Sequence, residues 1–338
     1  MAIVRDGMPP FELFRPTTID DALTLAKRQA ERHGADAWFL AGGLDSLERF
    51  KDHLITPKAV IDLGAIEALR GIRRDGEDLV IGPMTTLVEV QHNPDIRAHF
   101  DLLAEAAGEV ASPQIRNQGT LGGNIGQDTR CWYYRGGSHC YRAGGDTCYA
   151  SEGKDGQNRE HAIFGASGCA AVSPSDTAPA LVALEARLVI QHAGGKREMA
   201  AEDFFVGPET DIRRLNVLRP GELLTEIRLP ATWAKATFYF EKVRERPVWD
   251  FPLVNIAAAM RLSGDRINKA RFVLGAVAAR PWRLPKVETA VAGTSRKAVA
   301  ETAARLAAEG AAPLAHNGYK MILVSNLVKR AILGTKEA

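Results

Sequence analysis

A chain of 338 residues is long enough for two or three domains with an ample core, so its four cysteines are not needed to rescue stability. Its 43 basic and 41 acidic residues are scattered, and the net charge of +2 gives no reason to expect nucleic acid or an anionic membrane as partner. Four cysteines are too sparse for a disulfide scaffold, no stretch approaches the roughly 20 apolar residues of a membrane span, and residues 1–7 lack the features of a signal peptide, so a cytoplasmic protein is expected.

In chain order, the first element reads as a helix. Thr18 and Asp21 make a capping-box start, Ile19, Ala22, Leu23 and Ala26 supply an apolar face, and Gly34 ends it. Ala37-Trp38-Phe39-Leu40 follows as a short buried strand and breaks into Ala41-Gly42-Gly43-Leu44-Asp45-Ser46. A helix over 47–53 and a strand over 59–63 complete an α/β opening. Residues 71–74 and 78–81 flank an Asp75-Gly76 turn as a hairpin, Thr86 and Glu89 cap the next helix, and another helix spans 102–110. Past a glycine- and cysteine-rich centre come an apolar segment over 180–186, a strand over 187–191 and a turn at Gly194-Gly195. An alternating strand over 223–229 leads to a boundary at 231–235. Beyond it, 238–243, 254–262 and 269–277 read as antiparallel strands, and helices over 295–309 and 319–333 finish the chain.

Two glycine motifs point to a ligand. Gly42-Gly43, between a strand and a helix, suits phosphate binding, although such a turn is more often plain chain reversal. The dinucleotide fingerprint G-x-G-x-x-G is absent, and no Lys-Ser/Thr follows as in a P-loop. The second motif, Gly119 to Gly126, has four glycines in eight residues, with Thr120 and Asn124 able to hydrogen-bond. Together the two turns are expected to grip opposite ends of one extended ligand.

All four cysteines fall between residues 131 and 169, as Cys131-x8-Cys140-x7-Cys148-x20-Cys169. Zinc sites usually pair ligands as C-x2-4-C, which is missing, whereas iron–sulfur clusters accept wider spacings. The intervening residues are glycine-rich and polar without hydrophobic periodicity, so this segment is expected to fold around a shared inorganic group, a cluster being favoured over zinc. His139 and His161 are able to replace one ligand, but each reads better as a surface or supporting histidine.

Several stretches together resemble the medium, flavin-binding subunits of the molybdenum hydroxylases, the xanthine dehydrogenase and carbon monoxide dehydrogenase group. They are Phe39-Leu40-Ala41-Gly42-Gly43, Ile81-Gly82-Pro83-Met84-Thr85-Thr86-Leu87, Gln118 to Ile125, Pro174-Ser175-Asp176 with Pro179-Ala180-Leu181, Gly221-Glu222-Leu223-Leu224, and Glu241-Lys242-Val243-Arg244. In ordinary members the second glycine motif runs almost directly into the Ser-Asp motif. Here about forty residues intervene and hold the cysteines, which resembles an insertion in 4-hydroxybenzoyl-CoA reductases and bacterial aldehyde oxidoreductases, where it carries a [4Fe-4S] cluster. The long gap before Cys169 is closer to the aldehyde branch.

The resemblance implies an α+β chain: a two-subdomain FAD-binding fold of the PCMH type over residues 1–64 and 65–232, with an iron–sulfur insertion at about 127–169. A C-terminal α+β domain, 233–338, with a small antiparallel sheet and helices, would follow. Phe39, Leu40, Ala41, Gly42, Gly43, Leu44, Asp45 and Ser46 would wrap the FAD pyrophosphate, and Thr120, Gly122, Gly123, Asn124, Asp176, Leu224 and Lys242 would make further flavin contacts. Asp176 is expected to bond a ribose or ribityl hydroxyl, and the Lys242 cation to stabilise reduced flavin. Leu44 stands where the family usually has Thr or Ser, leaving Asp45 and Ser46 as the polar groups there. Cys131, Cys140, Cys148 and Cys169 would ligate the cluster, and no catalytic residue is expected on this chain.

The implied role is electron transfer. A large molybdenum-cofactor subunit and a small [2Fe-2S] subunit would deliver electrons to FAD here, and an external acceptor would take them, most simply in an aldehyde oxidoreductase. A signal-bearing partner would place the complex in the periplasm. The rival readings are a 4-hydroxybenzoyl-CoA reductase-like or other aromatic or heterocycle enzyme, a stand-alone flavin oxidoreductase, and a zinc-bearing scaffold subunit.

Overall fold

The structure, a computed structural model, describes residues 7–335; residues 1–6, which bear on the signal-peptide reading, lie outside the described residues. The chain begins with β1 (Glu12–Phe14), α1 (Ile19–His33), β2 (Ala37–Leu40), α2 (Ser46–Lys51) and β3 (Ala59–Asp62). The three strands form a parallel sheet in the order β1-β3-β2. Helix α1 starts where the sequence predicts, because the Thr18 hydroxyl accepts from the Asp21 N–H and Gly34 closes the helix with a backbone bond to Ala30. Strand β2, expected to be buried, is only half-buried: Ala37, Trp38 and Phe39 line an open cleft.

Next come β4 (Ile72–Asp75), β5 (Asp78–Ile81), α3 (Leu87–His92), α4 (Pro94–His99), α5 (Asp101–Gly108), α6 (Pro113–Gln118), α7 (Leu121–Gly126) and α8 (Trp132–Arg135). After the cysteine segment follow α9 (Thr177–Ala183), β6 (Arg187–His192), β7 (Gly195–Ala200), α10 (Ala201–Phe204) and β8 (Leu223–Leu229). The five strands pair antiparallel in the order β4-β5-β8-β6-β7, with the predicted hairpin at one edge. The Thr86–Glu89 capping box forms as the sequence indicated. The glycine motif expected as a turn folds instead as the short helix α7, with Thr120 accepting from the Gly123 N–H.

The last layer comprises β9 (Thr237–Val243), β10 (Val254–Ser263), β11 (Arg266–Gly275), β12 (Trp282–Arg283), α11 (Pro285–Val291), β13 (Thr294–Ser295), α12 (Arg296–Ala307) and α13 (Tyr319–Leu333). The three long strands are antiparallel neighbours, as expected. Strand β10 is apolar almost throughout because both its faces are covered. Ala257 and Ala259 join the core shared with α5, α9 and β8, while Ile256, Ala258 and Met260 face the core closed by α11, α12 and α13. This sheet therefore packs on one face against the core of the five-stranded sheet and on the other against the C-terminal helices. The fold is α+β, as the sequence implies.

Candidate functional site

The two glycine motifs meet. The Gly42 backbone lies so close to Gln118 that a Cβ there would sit 2.3 Å from the Gln118 carbonyl oxygen, and the Gln118 side chain donates to the Gly42 carbonyl at 3.2 Å. Gly43 has φ of +81°, a left-handed conformation that side chains oppose. The motifs, expected to grip opposite ends of one extended ligand, thus touch each other and form one wall. Helix α7 is fixed behind it by main-chain bonds from Gly122 N–H to Pro83 and from Leu121 N–H to Thr85.

That wall borders a cleft of about 1000 Å³. Of the residues singled out in the sequence, Phe39, Ala41, Gly42, Gly43, Leu44, Asp45, Ser46, Thr120, Gly122, Gly123, Asn124, Asp176 and Leu224 line it; Leu40 and Lys242 do not. Leu40 instead pairs with Asp62 across β2 and β3. Asn124 joins the second glycine motif to the Ser-Asp motif, its Oδ1 accepting from Ser175 Oγ and Thr177 Oγ1 at 2.6 Å each. Residues some fifty positions apart thus close one surface, and the insertion leaves and re-enters beside it.

Lys242, which the resemblance implies lies near a flavin, does not line the cleft. On β9 it stands directly opposite Asn255 on β10, and both reach Asp176 at the start of α9. Lys242 Nζ donates to Asp176 Oδ2 at 2.6 Å and to the Glu109 carbonyl at 2.9 Å, while Asn255 Nδ2 donates to Asp176 Oδ1 at 2.8 Å. The Lys242 and Asp176 side chains are 1% and 3% exposed, so the pair is almost wholly buried, with Asp176 at the edge of the cleft. Burial outweighs the ammonium and lifts the Asp176 carboxyl above its usual range.

Asp45 and Ser46 are likewise engaged with protein. Asp45 accepts from the Asp128 N–H and pairs with Arg130 and Arg135, and Ser46 Oγ accepts from Trp38 Nε1. Asp45 therefore fastens the root of the insertion to the first glycine turn. Beside it, Asp128 bridges Arg49 and Arg142; burial alone would raise its carboxyl, but the two guanidiniums hold it below the usual range. The sequence reading passed over this network, whose one local signal is the run of charges from Asp128 through Arg130 to Arg135.

The four cysteines come together. All line one small cavity with His161, none forms a disulfide, and Cys140 and Cys148 are buried. Against the expectation of a shared metal site, no three Cys, His, Asp or Glu side chains among the described residues are arranged to hold a metal ion. Burial pushes the Cys131 thiol up to about 11 and lowers His161 to about 4. His139 does not line the cavity. Little apolar packing supports the segment, its own cluster consisting of Cys148, Ala150 and Ala170. Its later part is anchored outside itself, with Ile163 and Phe164 in the C-terminal core and Phe164 stacked on Trp282 at 5.0 Å. Arg142 and Tyr134 line both the cysteine cavity and the large cleft, so one layer of side chains divides them.

The cleft suits an extended, partly polar cofactor. Residues 9–232 match the family described as FAD binding domain in molybdopterin dehydrogenase, and residues 238–335 match the CO dehydrogenase flavoprotein C-terminal domain. The chain is similar to the carbon monoxide dehydrogenase medium chain of Hydrogenophaga pseudoflava, 31% identical over 80% of this chain and 76% of that one. It is also similar to the aldehyde oxidoreductase FAD-binding subunit PaoB of Escherichia coli strain K12, 34% identical over 76% of this chain and 79% of that one. Among solved structures, carbon monoxide dehydrogenase from Hydrogenophaga pseudoflava superposes with a TM-score of 0.76 at 29% identity, covering 97% of both chains.

Proposed function

The chain belongs to the FAD-binding medium subunits of the molybdenum hydroxylases, and from that premise we propose that it is the electron-transfer flavoprotein of an aldehyde-oxidising complex, with a [4Fe-4S] cluster on its four cysteines. The observation that carries this reading is the adjacency of the glycine-walled cleft and the four-cysteine cavity across Arg142 and Tyr134. The aldehyde branch is supported by the similarity to PaoB and by the x20 gap before Cys169.

The chain's own residues bind and position. The main chain of Gly42 to Ser46, with Thr120, Gly122, Gly123 and Asn124, would cradle FAD along one wall, while Asp176 and Leu224 border the same space. Lys242 acts on that space through Asp176, fixing the carboxylate in place. FAD, when bound, accepts electrons singly or in pairs. Cys131, Cys140, Cys148 and Cys169 would hold the cluster, a one-electron carrier whose potential depends on its surroundings. In this reading a molybdenum-cofactor subunit and a [2Fe-2S] subunit supply electrons, and an external acceptor removes them.

The test is purification of the complex with quantification of iron, molybdenum and FAD, repeated for Cys148→Ser. The variant should lose up to about four iron atoms per chain, the content of one such cluster, while retaining FAD. Iron content equal to wild type in Cys148→Ser would assign the cysteines another role. Turnover with carbon monoxide or an N-heterocycle, and none with any aldehyde, would remove the aldehyde assignment but leave the cofactors.

A further inference from the structure

Among the groups around the cysteine cavity, His161 is the one whose contacts the electron-transfer reading leaves unused. We propose that His161 donates its Nε2–H to the Cys131 sulfur and so raises the reduction potential of the group those cysteines hold. This rests on the cluster assignment above.

The geometry is specific. His161 Nε2 lies 3.3 Å from Cys131 Sγ, and the residue is 4% exposed. Its ring also lies near two rings that follow that cysteine in sequence, 6.0 Å from Trp132 and 6.3 Å from Tyr133. The His161 carbonyl accepts from Asn317 Nδ2 at 3.0 Å, and the adjacent Glu160 carbonyl accepts from Lys320 Nζ at 2.9 Å. Lys320 also donates to the Ala276 carbonyl at 2.7 Å. The C-terminal layer thus holds the backbone on either side of the imidazole and aims it at the sulfur.

The chemistry then selects the proton's position. A cysteine that ligates iron has no S–H, so a bond between the two atoms requires the hydrogen on the ring. Nδ1 is buried without a partner. The opposite tautomer would bury an unpaired N–H there and turn the Nε2 lone pair toward a thiolate, losing on both counts. A donor to a thiolate ligand withdraws charge from it and stabilises the reduced, more negative state of the cluster. Four cysteines already supply a full ligand set, and His161 Nε2 lies against Cys131 Sγ, so His161 is a positioning residue and not a fifth ligand.

The experiment compares His161→Phe and His161→Gln with wild type in the purified complex. Iron and FAD are counted, and the cluster and flavin potentials are read separately in an EPR-monitored redox titration. His161→Phe should keep its iron and leave the flavin potential unchanged. Its cluster should show at least about a threefold fall in the ratio of reduced to oxidised form at fixed poise, about 28 mV at ~59 mV per tenfold for one electron. His161→Gln, which retains a side-chain N–H, should lie closer to wild type. A full iron complement with an unchanged cluster potential in His161→Phe overturns the inference while the cluster assignment stands. Wild-type protein without iron overturns that assignment instead. If His161→Phe sheds its cluster, His161→Gln decides: a cluster near the wild-type potential supports the donor role, and loss from both variants refutes it.

Discussion

Replacing Lys242 by Met keeps an unbranched side chain of similar length and removes one charge from a buried pair. At 2.6 Å and an effective dielectric constant near 20, the two unit charges attract by about 6 kcal/mol, most of which offsets the cost of taking both out of water. In Lys242→Met that cost remains for Asp176 alone, with Asn255 as its donor, and the Glu109 carbonyl loses its partner as well. Breaking such a pair costs about 3–5 kcal/mol, a large share of the ~5–15 kcal/mol that holds a typical domain folded. Urea unfolding of the two single variants and of the double variant, Asp176→Asn with Lys242→Met, gives the coupling. Lys242→Met should be severely destabilising in the wild-type background and far less so once Asp176→Asn has removed the carboxylate. A cost below about 1 kcal/mol in both backgrounds would show that the pair contributes little to stability, contrary to its burial.

Gly42→Ala should weaken FAD binding without adding any polar change, because its Cβ would press on the Gln118 carbonyl and part the two motifs. Overpacking against main chain costs about 1–3 kcal/mol, which would weaken affinity roughly 5- to 150-fold if expressed in the bound state; titrating apo-protein with FAD measures this, and an unchanged Kd refutes it. Lys320 gives a pH signature. Burial lowers its ammonium to about 7 from the ordinary 10.5, so between those values the unfolded chain keeps a proton that the folded chain has shed. Its contribution to stability therefore rises with pH across that window, and the urea midpoint of wild type should gain on that of Lys320→Met from about pH 7 to about pH 10. A gap that is flat or shrinks contradicts the assigned burial.

Local chemistry made much of this fold readable. Thr18 and Thr86 announced their helices through hydroxyls that do accept the expected backbone bonds, and the bounds of α13 coincide with its apolar pattern. Helices α4 and α6 carried comparable signals, Asn93 and Ser112 each followed by proline, that the sequence reading passed over. Helix α7 was misread for a physical reason. Glycine costs about 1 kcal/mol per residue in a helix, and what overrides it is the bonding of Leu121 and Gly122 to residues 83–85, which no local pattern reports. The family resemblance put Asp176 and Lys242 in one neighbourhood but not in each other's grasp; their link spans 66 positions and appears only when β9 and β10 pair. The cysteines were legible as a group from spacing alone, whereas the anchoring of Ile163 and Phe164 in a distant core was not.

The cysteine segment is tied at both ends to partners far away in the chain. Its start is held by Asp45 and Arg49, and its later part by His316, Asn317 and Lys320, about 160 positions downstream of the groups they bond. Synthesis proceeds from the N-terminus, so the four cysteines all exist well before the residues that fix their surroundings. The contacts from His316, Asn317 and Lys320 are long-range ones that form only when α13 docks. The surroundings of the four thiols are therefore complete only after a fifteen-residue helix far down the chain has packed against them.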